Sequence, residues 1–261
     1  MSTRKTLIVM GALIVAALPV SSQEMTVYPS EIRLNNAHDI ERLIAVVRRP
    51  DGVTVDVTNE AAVSFAAENI AVWNEDKRLH ATGDGETTIT VTHGDQTVQI
   101  PLVVENSGVV PPTTFINDVQ PAIMRAGCNT GACHGSAQGK NGFRLSLFGF
   151  DPGYDYISVT RESRSRRINA ALPEESLMLM KPMGAVDHEG GTVIQPGDGL
   201  YEPMLNWIRE GTKPDPQEIA GLTGINIYPP EAVLEGEGSQ QRFAVIANYS
   251  DGTTRDVTDS T

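Results

Sequence analysis

Two stretches of this chain repeat one another at an offset of 200 residues, and a repeated unit fixes the modular organisation of a chain before any other feature is weighed. Tyr28, Pro29, Glu31, Leu34 and Arg42 fall on Tyr228, Pro229, Glu231, Leu234 and Arg242. Agreement is closest where Asp51, Gly52, Thr54, Asp56, Val57 and Thr58 fall on Asp251, Gly252, Thr254, Asp256, Val257 and Thr258. In the first copy the pattern predicts strands over 42–48 and 53–57 around a Pro50-Asp51-Gly52 turn. It predicts two more over 88–91 and 98–102 around His93-Gly94-Asp95. Short strands at this spacing read as a β-sandwich. The expected organisation is a first module over 23–105, a linker over 106–114, a middle segment over 115–211, a linker over 212–224, and an incomplete second module over 225–261.

Residues 1–22 have the layout of a signal peptide: Arg4 and Lys5, an apolar stretch over 7–20, then small residues ending at Ser22. The stretch is short for a spanning helix, and no later segment reads as one once the signal is removed. Export to the periplasm or cell surface is the expectation, in an oxidising compartment where two free thiols would not persist unused. Lys plus Arg number 20 against 33 Asp plus Glu, a net charge of −13, which gives no electrostatic footprint for nucleic acid. Apolar residues at 40% and charged residues at 20% are ordinary for a globular chain.

The middle segment holds both cysteines. Phe115, Ile116, Val119, Ile123 and Met124 recur at helical spacing, with Asp118 as a candidate N-cap and Pro121 in the first turn. A second apolar stripe, Leu200, Met204, Trp207 and Ile208, is closed by Gly211. Between them stands Cys128-Asn129-Thr130-Gly131-Ala132-Cys133-His134. Two thiols followed at once by a histidine are the elements of covalent haem attachment, the thiols adding to the porphyrin vinyl groups and the histidine taking the iron. The usual motif has two residues between the thiols; here there are four, with Gly131 and Ala132 expected to let the loop bulge. On the residues alone three other readings stay open: a Cys128–Cys133 disulfide, a zinc site from Cys128, Cys133, His134 and His188, and a Cys-His nucleophile.

Tyr249 to Thr258 match throughout the Tyr-x-Asp-Gly-Thr-x-x-Asp-Val-Thr hairpin of bacterial immunoglobulin-like domains of group 2, and the two copies resemble that family, whose members act as spacers or adhesive units. The first copy departs from it at Arg49, Pro50 and Val53. The middle segment resembles the cytochrome c-like domain of large exported planctomycete proteins on Ile116 to Pro121, Cys128 to Gly135, Gly139 to Leu147, Asp151-Pro152, Ser176-Leu177, His188 to Gly191 and Trp207-Ile208. Together the resemblances imply a multidomain chain: an all-β immunoglobulin-like sandwich, a mainly α cytochrome c-like domain, then the start of a second sandwich. They imply haem c, held by thioethers at Cys128 and Cys133, with His134 as the proximal iron ligand. His188 is the candidate sixth ligand and Met183 the alternative. The function expected is electron transfer to a redox partner protein, an electron-transfer module rather than an enzyme, with cell-surface or envelope partners open. The alternatives are a structural or adhesion protein with a disulfide and no haem, and a haem peroxidase-like enzyme.

Three further patterns carry less. Gly135 to Lys140 imitate a phosphate loop but lack one residue between the glycines and have Asn141 where Ser or Thr must stand. Arg161, Arg164, Arg166 and Arg167 form a basic cluster that can pair with haem propionates, dock an acidic partner, or simply face solvent. His38, His80 and His93 read as surface residues of the first module.

Overall fold

A computed structural model describes residues 23–261, so the signal-peptide expectation for 1–22 lies outside the described residues. The chain order is β1 (Glu24–Tyr28), β2 (Ile32–Leu34), β3 (Ile40–Arg42), β4 (Ile44–Arg48), β5 (Thr54–Asp56), β6 (Ala62–Phe65), β7 (Ala71–Trp73), β8 (Arg78–Ala81), β9 (Gly85–His93) and β10 (Gln96–Val104). Four short helices follow: α1 (Gln120–Arg125), α2 (Pro152–Thr160), α3 (Leu177–Met180) and α4 (Tyr201–Arg209). Strands β11 (Leu222–Tyr228), β12 (Ala244–Tyr249) and β13 (Thr254–Asp256) close the sequence.

The fold class read from the sequence needs correction. Strand exceeds helix, 28% against 19%, and the strands are divided among four small sheets ordered β1-β4-β5, β2-β10-β9-β6, β3-β8-β7 and β11-β12-β13. The predicted strand over 42–48 is in fact two: Arg42 ends β3 and pairs with Arg78, while Ile44 opens β4 and pairs with Tyr28. Alternation in sequence cannot show that a strand changes sheets. Nor is the middle segment mainly α, since its α-helices are four to nine residues long and turns separate them. Positive φ at Gly127 after α1, Ser163 and Arg164 after α2, Gly184 after α3 and Gly211 after α4 breaks the backbone shortly beyond each helix. The last strands form a three-stranded sheet that packs on the first repeat.

In the first repeat, β1 and β4 turn Met25, Val27, Ala45 and Val47 inward against Ile89, Val91, Ile100 and Leu102 of β9 and β10. The shared Asp-Val-Thr motif has the same local task in both repeats. Asp56 Oδ1 accepts the Thr58 N–H and Thr58 Oγ1 accepts the Ala45 N–H; Asp256 and Thr258 do the same for Val245. These bonds satisfy backbone donors where the short strand β5 or β13 runs out.

The two repeats meet about a pseudo-two-fold relation. Ile44 and Val46 bury against Ala244 and Ile246, positions offset by 200, and the rings of Tyr28 and Tyr228 stack with centroids 5.8 Å apart. The polar rim is reciprocal: the Arg42 N–H donates to Asp256 at 3.0 Å and the Arg242 N–H to Asp56 at 2.9 Å. Such self-matching contacts are those of an isologous dimer interface, here within one chain. The second repeat also reaches the middle segment, where Arg255 pairs with Asp118 at 2.7 Å. No helix among the described residues is long and apolar enough to cross a membrane.

Candidate functional site

The middle segment has its own core, in which Phe115, Val119 and Ile123 meet Trp207 and Ile208. Trp207 is fully buried, with Phe115 5.2 Å and Tyr156 6.0 Å from it between ring centroids. Asp118 is not an N-cap as expected. Its carboxylate reaches back to accept from the N–H and hydroxyl of Thr114, both at 2.7 Å. Pro121 does stand in the first turn of α1.

From α1 the chain enters the cysteine loop through Gly127, whose φ of +74° suits glycine. Cys133 N–H donates to Thr130 O, Gly135 N–H to the same oxygen, and His134 N–H to Cys128 O at 2.9 Å. The last of these bonds spans the whole motif, so both cysteines and the histidine share one compact coil of turns. The four intervening residues are absorbed there. Gly131 has no close neighbour for an added Cβ, whereas a Cβ on Gly135 would lie 2.0 Å from Asn129 O. The glycine that the loop requires is thus Gly135, the last residue of the matched motif, rather than Gly131.

His134 is placed by the segment that follows it. Its Nδ1 lies 3.0 Å from the Phe143 carbonyl, its own carbonyl accepts from Leu145, and the Phe143 ring packs 4.5 Å from the imidazole. His188, far along the chain, has its Nδ1 2.9 Å from Gly191 O. Each Nδ1–H donates to a carbonyl, which leaves Nε2 of each ring with its lone pair free. The two rings lie with centroids 6.5 Å apart and planes inclined by only 11°. Burial holds the His134 pKa below the ordinary histidine value, with the backbone bond to Phe143 opposing and the neighbouring His188 and Arg167 charges adding to the depression. A neutral imidazole is the form that binds a metal.

Both cysteines are free thiols, half-buried, with Cys128 packed against the core. Burial and the adjacent Cys133 push the Cys128 thiol up to about 11, away from the thiolate a nucleophile needs. Met183 packs against the same core cluster as Cys128. The fold therefore brings His188, rather than Met183, ring to ring with His134. Of the arginine cluster, Arg161, Arg164 and Arg166 are exposed but Arg167 is buried, its guanidinium spent on backbone carbonyls.

The donor set suits a haem better than a bare ion. A protein-only zinc site takes four ligands, and among the described residues no three His, Cys, Asp or Glu side chains gather as one. A haem brings four nitrogens of its own and asks for one or two axial ligands. Two imidazoles sharing a metal at about 2 Å each would hold ring centres about 6 Å apart; those of His134 and His188 are 6.5 Å apart with near-parallel planes. Inside the cysteine motif, Asn129 is completely buried with neither its Oδ1 nor its Nδ2 hydrogen-bonded. An orphaned amide at that place is costly without a polar partner. The sequence matches no protein-family model, and comparison with curated proteins gives no match.

Proposed function

We propose that this chain is an exported c-type haem protein whose task is electron transfer, with the haem held by the middle segment. The observation that carries the reading is the pair of near-parallel imidazoles 6.5 Å apart, each fixed by a backbone carbonyl with Nε2 free, one of them directly after the second of two unbridged thiols. Cys128 and Cys133 would anchor the porphyrin as thioethers, and His134 and His188 would bind its iron. The haem, when bound, supplies a one-electron ferric–ferrous couple. The protein's contribution is to hold both imidazoles in one tautomer and one orientation, so that little rearranges when the charge on iron changes. Two protein ligands leave no position for substrate, which favours electron transfer over peroxidase chemistry. The high Cys128 pKa weighs against the nucleophilic reading.

The test is the intact mass and spectrum of the protein made in a host with haem-attachment machinery. The reading expects the mass of the mature chain plus one haem, a stain that survives a denaturing gel, and a low-spin spectrum. An apo mass with a Cys128–Cys133 disulfide from such cells would overturn it.

A further inference from the structure

Arg167 belongs by sequence to an exposed basic cluster, yet it is only 7% exposed and its charge has no carboxylate partner within ion-pair distance among the described residues. Its guanidinium donates to Ser158 O at 2.7 Å and to Gly142 O at 2.9 Å, and it lies 4.2 Å over the Phe143 ring. A buried arginine spent on carbonyls is costly to desolvate, so its position asks for a reason. Phe143 supplies one. The same ring also packs on His134, and the Phe143 carbonyl is the acceptor for His134 Nδ1. That carbonyl also takes the Lys140 N–H at 2.8 Å, and a Cβ on Gly139 would lie 2.2 Å from it, so the strip from Gly139 to Phe143 is held against the histidine from several directions.

We propose that Arg167 is the positioning residue of the His134 side of the site: it clamps Gly142 and Phe143 so that the Phe143 carbonyl holds His134 as the Nδ1–H tautomer, and it places a fixed positive charge behind the imidazole. The proposal rests on the haem reading for its second effect alone. A fixed positive charge near the iron disfavours the ferric state, which carries one more positive charge than the ferrous, so Arg167 raises the midpoint potential. The first effect belongs to the polypeptide and exists without haem.

The experiment uses the full chain in two forms. In apoprotein made without attachment machinery, the nitrogen chemical shifts of His134 report its tautomer. Wild type should be Nδ1–H, whereas R167Q should show a mixture with Nε2–H. Phe143→Leu, which keeps the carbonyl and loses the ring, should stay Nδ1–H, and thermal melts of each variant establish that it folds. In haem-loaded protein, R167Q should shift the midpoint potential negative, and R167K, which keeps the charge but not the two-pronged grip, should recover part of that shift without restoring the apoprotein tautomer. A folded R167Q with unchanged tautomer overturns the positioning role, and a folded, haem-loaded R167Q that keeps the wild-type potential overturns the charge effect. Absence of haem from wild type defeats the haem reading while the tautomer measurement still decides the clamp.

Discussion

At the scale of single residues the two axial candidates and one buried carboxyl make the sharpest demands. If His188 is the sixth ligand, His188→Ala should turn a low-spin spectrum high-spin and open the ferrous iron to carbon monoxide. Met183→Leu, which changes a residue packed on the core, should leave the spectrum alone. Carbon monoxide binding by the unmodified protein would hand the site to the peroxidase-like reading. Glu41 on β3 is 3% exposed, and its Oε1 has no hydrogen-bond partner. Burial, and then Asp256 and Asp39, push its pKa up to about 9 against the opposing pull of Arg42. A carboxyl raised in the folded state keeps a proton that the unfolded chain gives up from about pH 4.5 upward. Its contribution to stability therefore declines as pH rises from there to about 9. At pH 7 the loss is on the order of 3 kcal/mol. Glu41→Gln should raise stability at pH 7 to 8 by up to that amount, and should flatten the urea midpoint against pH over the window; a midpoint that falls as steeply as in wild type would refute the assignment. No sequence pattern marks Glu41, because a charged residue on an alternating strand reads as outward-facing. What buries it is the second repeat arriving from 200 residues away, with Asp256 among its neighbours.

Elements show where glycine and apolar face carry meaning that composition hides. Gly135→Ala would drive a Cβ to 2.0 Å from Asn129 O inside the cysteine coil. It should cost at least about 2 kcal/mol and reduce haem loading, whereas Gly131→Ala, with open surroundings, should be tolerated; melting temperature and haem content per chain measure both. The strands of the second repeat supply the contrast. Ile225 and Ile227 are 54% and 52% exposed, while their first-repeat counterparts Met25 and Val27 are 5% and 3% exposed under β9 and β10. Val27→Thr should therefore cost about 1–3 kcal/mol and Ile227→Thr under about 0.5, though the two positions are equivalent in sequence. Equal costs would mean that the Ile227 face is covered in solution. The turns at Gly52 and Gly94 were legible from the chain alone, as were the stripe of α4 and its stop at Gly211, whereas the division of 42–48 between two sheets was not. The brevity of the middle helices was not, because Phe115, Val119 and Ile123 bury one apolar face equally well whether the backbone around them runs on as helix or breaks into turns.

At the scale of the whole molecule, the repeat predicted a second module but not that the first would receive it. Ile44 and Val46 alternate with Ala45 and Val47, and all four are buried, since β4 has the core of the first repeat on one face and the second repeat on the other. In sequence, an apolar run of this kind shows burial on both faces without naming the partner. The reciprocal ion pairs then make the interface testable, because its pseudo-symmetry is imperfect. Arg42 lies 2.6 Å from Asp256, whose side chain is wholly buried, and Asp259 adds a second contact; Arg242 lies 3.5 Å from Asp56 and is 48% exposed. Removing one partner of a buried pair strands the other, at a cost of about 3 kcal/mol or more, while an exposed pair contributes about 0–1. The side-chain pair of Arg242 should thus matter little, and Arg242→Ala should leave the urea midpoint nearly unchanged even at low salt. Asp256→Ala should lower it strongly, strip the Arg42 side chain and backbone N–H of an acceptor, and free Thr258 from its local bond. Because Arg255 ties the same strand to Asp118 ahead of α1, the variant should also loosen the entrance to the cysteine loop, visible as faster amide exchange at residues 115–125. Equal effects of the two substitutions, or an Asp256→Ala protein as stable as wild type, would mean that the repeats do not pack on one another as described.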